Sequence, residues 1–266
     1  MSNSIEKLIA TNPFGLSQEE KTPIFRAAMK DAFTHHITHN PLFKKYCTNK
    51  GLDLCYFPDD MADLPYIPVN LFKTKILSSI AKEKVKKTVK SSATTGNPST
   101  IIVDQITSNR QTIVSSKVIK AFIGDHRRPF LILDEDPTTN RNSEINARIA
   151  ATTGFIIFSN ENQYLLHKKN GDLSLEYEKI IDILGKIEES QEDVTIFGFT
   201  YILYHYVIRV LKERGHTFKL SPNTNIVHIG GWKKLDNQKV NKSDFCEDIK
   251  TVLSVSSNNI IDFYGF

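Results

Sequence analysis

Residues 194–229 read VTIFGFTYILYHYVIRVLKERGHTFKLSPNTNIVHI. Val194–Phe197 is a short apolar run of strand length, 200–214 reads as a helix, and Ile226–Ile229 is a second apolar run. Strand, helix and strand in that order make a crossover unit whose two strands lie parallel. Outward from this stretch the same alternation continues. Further strand candidates are Thr100–Val103, Phe130–Leu133, Phe155–Phe158 and Ile260–Tyr264, and further helix candidates are 106–123, 143–153, 173–189 and 242–253. The expected fold is therefore α/β, with a parallel-rich sheet flanked by helices. Ligands of such sheets sit beyond the carboxyl ends of the strands, so the loops after the strands are where chemistry is sought.

The first 50 residues read differently, as helices. Ser17 with Glu20 three positions on forms a capping-box pattern, and Ile24, Ala27, Ala28, Ala32 and Phe33 follow at helical spacing. Pro41 opens a second helix, PLFKKYCTNKG, which closes at Gly51. Pro58, Pro65 and Pro68 make 52–75 an extended, loop-rich approach. The expected organisation is an N-terminal helical segment, 1–75, packed on a main domain, 76–266.

Composition narrows the class. A chain of 266 residues with 40% hydrophobic and 24% charged residues can bury a sizeable core and reads as soluble and globular. No apolar run reaches the roughly 18 residues of a membrane span, and the N-terminus lacks the pattern of a secretory signal. Cys47, Cys55 and Cys246 form neither a disulfide framework nor a zinc pattern, so reduced thiols and a cytoplasmic location are expected. A net charge of +4 is too small for a dedicated nucleic-acid binder. Much of the excess sits in Lys82, Lys84, Lys86, Lys87 and Lys90, which a phosphate-rich ligand could use in part, although a solvated surface segment is the favoured reading.

The most informative local stretch is KSSATTGNPST, Lys90–Thr100. Four hydroxyl residues, Ser91, Ser92, Thr94 and Thr95, crowd with Gly96 into six positions. Glycine permits a tight backbone turn, and hydroxyls with backbone N–H groups can converge on anionic oxygens. The stretch is a phosphate-loop candidate, although it lacks the lysine and spacing of GxxxxGK[ST]. A polar surface turn is the competing reading. Two later segments matter. Val227–Lys233, VHIGGWK, is a strand running into a Gly-Gly turn, and Ile260–Phe266 reads IIDFYGF.

Three of these segments, in this order, resemble the adenylate-forming superfamily. SSATTGNPS is similar to the loop usually written SSGTTGxPK, which in that family holds the β- and γ-phosphates of ATP. Ala93 stands where Gly is commonest, and Ser99 where Lys is frequent. The IGGWK form is similar to acyl-protein synthetases of the LuxE type. The IIDFYGF segment resembles the start of the family's YGxTE segment and stops before its Thr and Glu. The resemblance covers nearly the whole chain, while the chain covers only part of the family's length.

The resemblance implies the large N-terminal domain of an enzyme that uses ATP and Mg²⁺ to activate a carboxylic acid, expected to be a long-chain fatty acid, as its acyl-adenylate. In the synthetases the acyl group then passes to a protein cysteine and on to an acyl-reductase partner. Ser91, Ser92, Thr94, Thr95 and Gly96 would bind the triphosphate. Gly230, Gly231, Trp232, Tyr264 and Gly265 would form the adenine and acyl pocket, with Tyr264 stacking on adenine. Catalytic residues are unknown in this chain. The family's small C-terminal domain with its catalytic lysine, and its acceptor cysteine, are expected beyond residue 266, and Cys246 does not match that cysteine. Alternatives are an aryl- or fatty-acid coenzyme A ligase of the same superfamily, or a non-catalytic nucleotide- or partner-binding domain.

Other signals are weaker. Phe197–Val207, FGFTYILYHYV, is an aromatic strand–helix junction where the family places a substrate-pocket element, although core packing accounts for each of Phe199, Tyr201, Tyr204 and Tyr206 taken singly. His35 and His39 share a helical i, i+4 face beside His36, but no HExxH pattern accompanies them, and no metal site is expected. Asp134, Glu135 and Asp136 close a strand at its carboxyl end, where carboxylates could bind Mg²⁺, but the loop reading is favoured.

Overall fold

The computed structural model describes residues 3–53, 57–90, 97–136, 154–169, 172–232 and 239–263. The chain divides into two compact units, Met1–Ala121 and Phe122–Phe266.

The first unit opens with α1 (Asn3–Ala10), α2 (Gln18–His39) and α3 (Pro41–Asn49). The capping box forms as expected: Glu20 N–H donates to Ser17 Oγ at 3.2 Å, and Ser17 N–H donates to Glu20 Oε2 at 2.9 Å. These bonds satisfy donors that the first turn would otherwise leave open. Asn40 ends α2 and caps α3, its Oδ1 accepting from Phe43 N–H at 3.0 Å, with Pro41 in the first turn of α3. This tight corner folds the two helices onto a small core of Phe33, Ile37, Phe43 and Cys47, against which Leu52, Phe57, Leu64 and Ile67 pack. Among the described residues the proline-rich approach forms short 3₁₀ turns at Met61–Asp63 and Val69–Lys73, and another follows it at Lys82–Lys84.

Thr100–Val103 is a strand, but not part of the parallel sheet. It lies in β2 (Thr100–Asp104), paired antiparallel with β1 (Val85–Lys90) in a sheet of two strands. β1 is the lysine-rich segment, and all but one of its residues are exposed. Lys90 pairs with Thr100, so the hairpin fixes both ends of the connection that contains 91–96. The helix α4 (Gln105–Ile123) follows, and Asp104 Oδ1 accepts from Thr107 N–H at 2.7 Å at its start. Lys117 Nζ donates to the last carbonyls of α1, Ile9 at 2.6 Å and Ala10 at 2.9 Å, which ties the two helices together.

The second unit is a sheet of six strands: β3 (Arg128–Glu135), β4 (Ser159–Lys169), β5 (Asp172–Leu175), β6 (Thr195–Phe199), β7 (Asn225–Ile229) and β8 (Ile260–Phe263). The spatial order is β5-β4-β3-β6-β7-β8, and every pairing is parallel except β4 with β5. β6 and β7 are buried at all five positions, as a parallel strand covered on both faces requires. The covering helices are amphipathic. α5 (Tyr177–Ser190) buries Ile180, Ile183, Leu184 and Ile187, and α8 (Lys242–Leu253) buries Phe245, Ile249, Val252 and Leu253. Both sets follow helical spacing.

Two boundaries differ from the sequence reading. Phe155–Phe158 is not a strand: Ile156–Phe158 forms one 3₁₀ turn and β4 begins at Ser159. The apolar run serves the core before the sheet starts, with the Phe155 ring 4.6 Å from Phe197 and 5.1 Å from Phe263. The helix expected from 173 begins at Tyr177, because Asp172–Leu175 pairs back on β4. Strand pairing overrides local helix preference there. The helix expected over 143–153 lies outside the described residues.

Candidate functional site

Strand order reverses between β3 and β6, since β4 lies to one side of β3 and β6, β7 and β8 to the other. Such a reversal opens a crevice at the carboxyl ends of the strands. Gly198 sits at this junction. A Cβ there would meet Leu133 Cβ at 2.7 Å, so only glycine lets β6 approach β3 this closely.

The carboxyl ends of β6 and β7 are level, with Phe199 paired to Ile229. Thr200, the residue after β6, is buried and staples the two ends. Its Oγ1 lies 2.7 Å from Gly230 O, 3.2 Å from Ile229 O and 2.9 Å from His228 Nδ1. Both carbonyls can only accept, so the hydroxyl proton goes to them. The hydroxyl oxygen must then accept from His228 Nδ1–H, which assigns the tautomer. Burial pushes the His228 imidazole below its ordinary pKa, Asp262 opposes this, and Lys242 adds to the lowering. Asp262 Oδ1 is 3.8 Å from His228 Nδ1, and the two residues are register partners on β7 and β8.

This staple fixes the Gly-Gly turn predicted from VHIGGWK. Gly230 has φ +72°, and a Cβ on it would stand 3.2 Å from Phe199 Cδ1. It therefore needs glycine for both conformation and space. Gly231 differs: nothing lies within 4 Å of where its Cβ would be. Its backbone is bare, as a surface for a flat ligand must be. Trp232 turns inward and is buried, its ring 5.5 Å from Tyr204, 5.5 Å from His205 and 6.3 Å from Phe245.

The aromatic segment after β6 is helical with a π-helical interior. Thr200–Ile202 (α6) leads into π-helical Leu203–Ile208 and then Arg209–Glu213 (α7). Turns of this kind are frequent at functional sites. Tyr204 is a core residue here, stacked on Phe245 at 5.7 Å, and its hydroxyl donates to Asp248 Oδ2 at 2.8 Å. Burial first, and then Asp248, push its pKa up to about 12. Lys212 closes the group by an ion pair with Asp248. Phe199 is also buried, and Tyr206 faces solvent. His205 Nε2 is buried with no hydrogen-bond partner among the described residues, and burial lowers its pKa. Nothing in its sequence position singled it out.

Of the expected site residues, Gly230, Gly231 and Trp232 stand together at the end of β7. Ser91, Ser92, Thr94, Thr95 and Gly96, with Tyr264 and Gly265, lie outside the described residues. Asp134 is buried and its Oδ1 accepts from Glu135 N–H at 2.8 Å. Among the described residues no three His, Cys, Asp or Glu side chains group to hold a metal ion, and no helix is long and apolar enough to cross a membrane.

Comparison with known proteins agrees with the fold. Solved structures of 2-hydroxyisobutyryl-CoA ligase are similar in fold at 8% identity. One, an open conformation with 2-HIB-AMP and CoA, matches 93% of this chain and 50% of its own with a TM-score of 0.59. Another, in a postadenylation state with 2-HIB-AMP, matches 94% and 50% with a TM-score of 0.58. Two curated relatives are each described as a long-chain-fatty-acid–luciferin-component ligase. That of Aliivibrio fischeri is 26% identical over 251 residues, and that of Vibrio harveyi 22% over 253, each covering 92% of this chain. The chain spans 62% of the length of either relative. The family description "Acyl-protein synthetase, LuxE" matches residues 1–266, and the chain belongs to that family.

Proposed function

We propose that this chain forms the nucleotide- and acyl-adenylate-binding part of a ligase that activates a long-chain fatty acid with ATP. The observation that carries the reading is the match to the acyl-protein synthetase family over residues 1–266. The descriptions of the two curated relatives support the fatty acid as the substrate.

In the proposed reaction a carboxylate oxygen attacks the α-phosphorus of ATP. The bond from that phosphorus to the bridging oxygen breaks, and pyrophosphate leaves with the electron pair. The thiolate of a protein cysteine then attacks the acyl carbonyl and AMP departs, leaving a thioester for a reductase partner. The chain's own residues have three tasks. Ser91, Ser92, Thr94, Thr95 and Gly96 would hold the phosphates by hydrogen bonds fixed before the reaction, which act without reorganisation as charge moves. The bare backbone of Gly231 offers a flat wall for the adenine or the mixed anhydride. Thr200 and His228 keep that wall in place through Gly230. Mg²⁺ would arrive on the nucleotide phosphates, since this ion is commonly held by one or two carboxylates together with phosphate oxygens and water.

The test is calorimetric binding of non-hydrolysable acyl-adenylate analogues bearing acetyl, aryl and long-chain acyl groups. Affinity should rise with chain length, and Thr95→Ala should weaken nucleotide binding without unfolding the protein. A preference for the aryl analogue would redirect the reading to an aryl-acid ligase. A folded protein that binds no analogue and no ATP would overturn it.

A further inference from the structure

The first unit holds a cavity of about 800 Å³, whose described lining residues run from Ile5 to Arg110. That is in the upper part of the range of about 300–1,000 Å³ typical of small-molecule sites. Much of its wall is apolar: Phe43 comes from α3, Pro65, Ile67 and Phe72 from the proline-rich approach, Leu77 from just after it, and Ile101 and Ile102 from β2. Polar side chains gather on another part. His35, His36 and His39 project from the end of α2, with Asp104 and Arg110 among the lining residues beside them.

The polar part is built, and it is electrically balanced. Among the described residues the fixed lining charges are Lys30 and Arg110 against Asp31 and Asp104. Arg110 is also engaged by Glu6, with a nitrogen–oxygen distance of 2.7 Å. The rings of His35 and His39 are 4.6 Å apart, and those of His35 and His36 are 5.4 Å apart. His39 Nδ1–H donates to His35 O at 2.8 Å, and His36 Nδ1 lies 2.7 Å from Ser79 Oγ. Burial first, and then the neighbouring imidazoles, lower the pKa of His35 and His36, so both are neutral at pH 7. With apolar walls, neutral imidazoles at His35 and His36 and cancelling fixed charges, the described lining has no excess charge with which to hold a phosphate or a carboxylate. It offers burial for a hydrocarbon chain and hydrogen-bonding groups for an uncharged oxygen.

We propose that this cavity binds a single-chain aliphatic compound with an uncharged polar head, a long-chain alcohol, aldehyde or ester. The proposal rests on the described lining residues alone and takes nothing from the adenylate reading.

The experiment titrates the full chain with dodecan-1-ol by calorimetry at pH 8 without nucleotide, and with dodecanoate as the charged comparator. One dodecanol per chain should bind, about tenfold or more tighter than dodecanoate. Ala32→Trp and Thr107→Phe each place bulk on the lining, and each should weaken dodecanol binding by about tenfold or more. Absence of saturable dodecanol binding, or dodecanoate binding as tightly as the alcohol, would overturn the proposal. So would unchanged affinity in a filled variant of native helicity, which would put the alcohol elsewhere. The alcohol-to-carboxylate ratio is read on the unmodified protein and so stands even where a variant fails to fold. Loss of acyl-adenylate binding leaves this result untouched, and loss of dodecanol binding leaves the adenylate site untouched.

Discussion

Replacing Thr200 by valine tests whether the Gly-Gly turn is held by a hydroxyl or simply by packing. Valine keeps the shape and removes the oxygen that joins His228 Nδ1 to the carbonyls of Ile229 and Gly230. Thr200 and His228 are each only 6% exposed, so water cannot replace the lost partner without opening the site. Leaving the imidazole donor unsatisfied costs about 1–3 kcal/mol, and the lost bond to Gly230 adds about 1 kcal/mol. A total of about 2–4 kcal/mol, with a urea slope near the upper end of about 1–3 kcal/mol/M, lowers the unfolding midpoint by roughly 0.7–1.3 M. Trp232, the single tryptophan, is buried beside the turn and reports the transition by fluorescence. Thr200→Ser keeps the hydroxyl and should recover most of the loss. In a double-mutant cycle with His228→Leu, the paired change should cost about 1 kcal/mol less than the sum of the single ones. A valine midpoint within about 0.2 M of wild type, or a serine variant as weak as valine, would refute the staple.

Other outcomes follow from the same geometry. Gly230→Ala, at φ +72° and against Phe199, should destabilise by about 1 kcal/mol or more, whereas Gly231→Ala, with open space around it, should stay within about 0.5 kcal/mol in the same urea assay. Gly198→Ala drives a methyl into Leu133 and should cost about 1–3 kcal/mol, again read from the urea midpoint. His228, His205, His35 and His36 all have lowered folded-state pKa values, so the unfolded chain binds more protons near pH 6. The stability they contribute is complete above their unfolded value of about 6.5 and is lost as pH falls through the folded values. Urea midpoints should therefore drop between pH 7.5 and 5, and a flat profile would contradict the assigned neutral imidazoles. Ser17→Ala removes half of the capping box on α2 and should cost about 1 kcal/mol, seen as a lower thermal midpoint by circular dichroism.

The element pattern of the second unit was legible in the sequence because its strands and helices carry strong local signals. β6 and β7 read as apolar runs since both faces are covered, and residues 242–253 read as a helix since Phe245, Ile249, Val252 and Leu253 mark one face. The glycine at 230 was visible as half of a Gly-Gly pair, and the capping box at Ser17 as a spacing. These are properties of neighbouring residues. Tertiary structure alone decided the rest. Thr100–Val103 looks like any sheet strand, but its partner is the lysine-rich segment at 85–90, a choice made by strand pairing. Thr200 and His228 are 28 positions apart and become one device only when β6 and β7 lie side by side. The histidines of α2 spelled no motif, and their setting depends on β2 and α4 bringing Asp104 and Arg110 to the same cavity wall. Local periodicity fixes which segments are helix or strand, whereas long-range hydrogen bonds and packing fix which of them meet, and the chemistry of a site depends on that meeting.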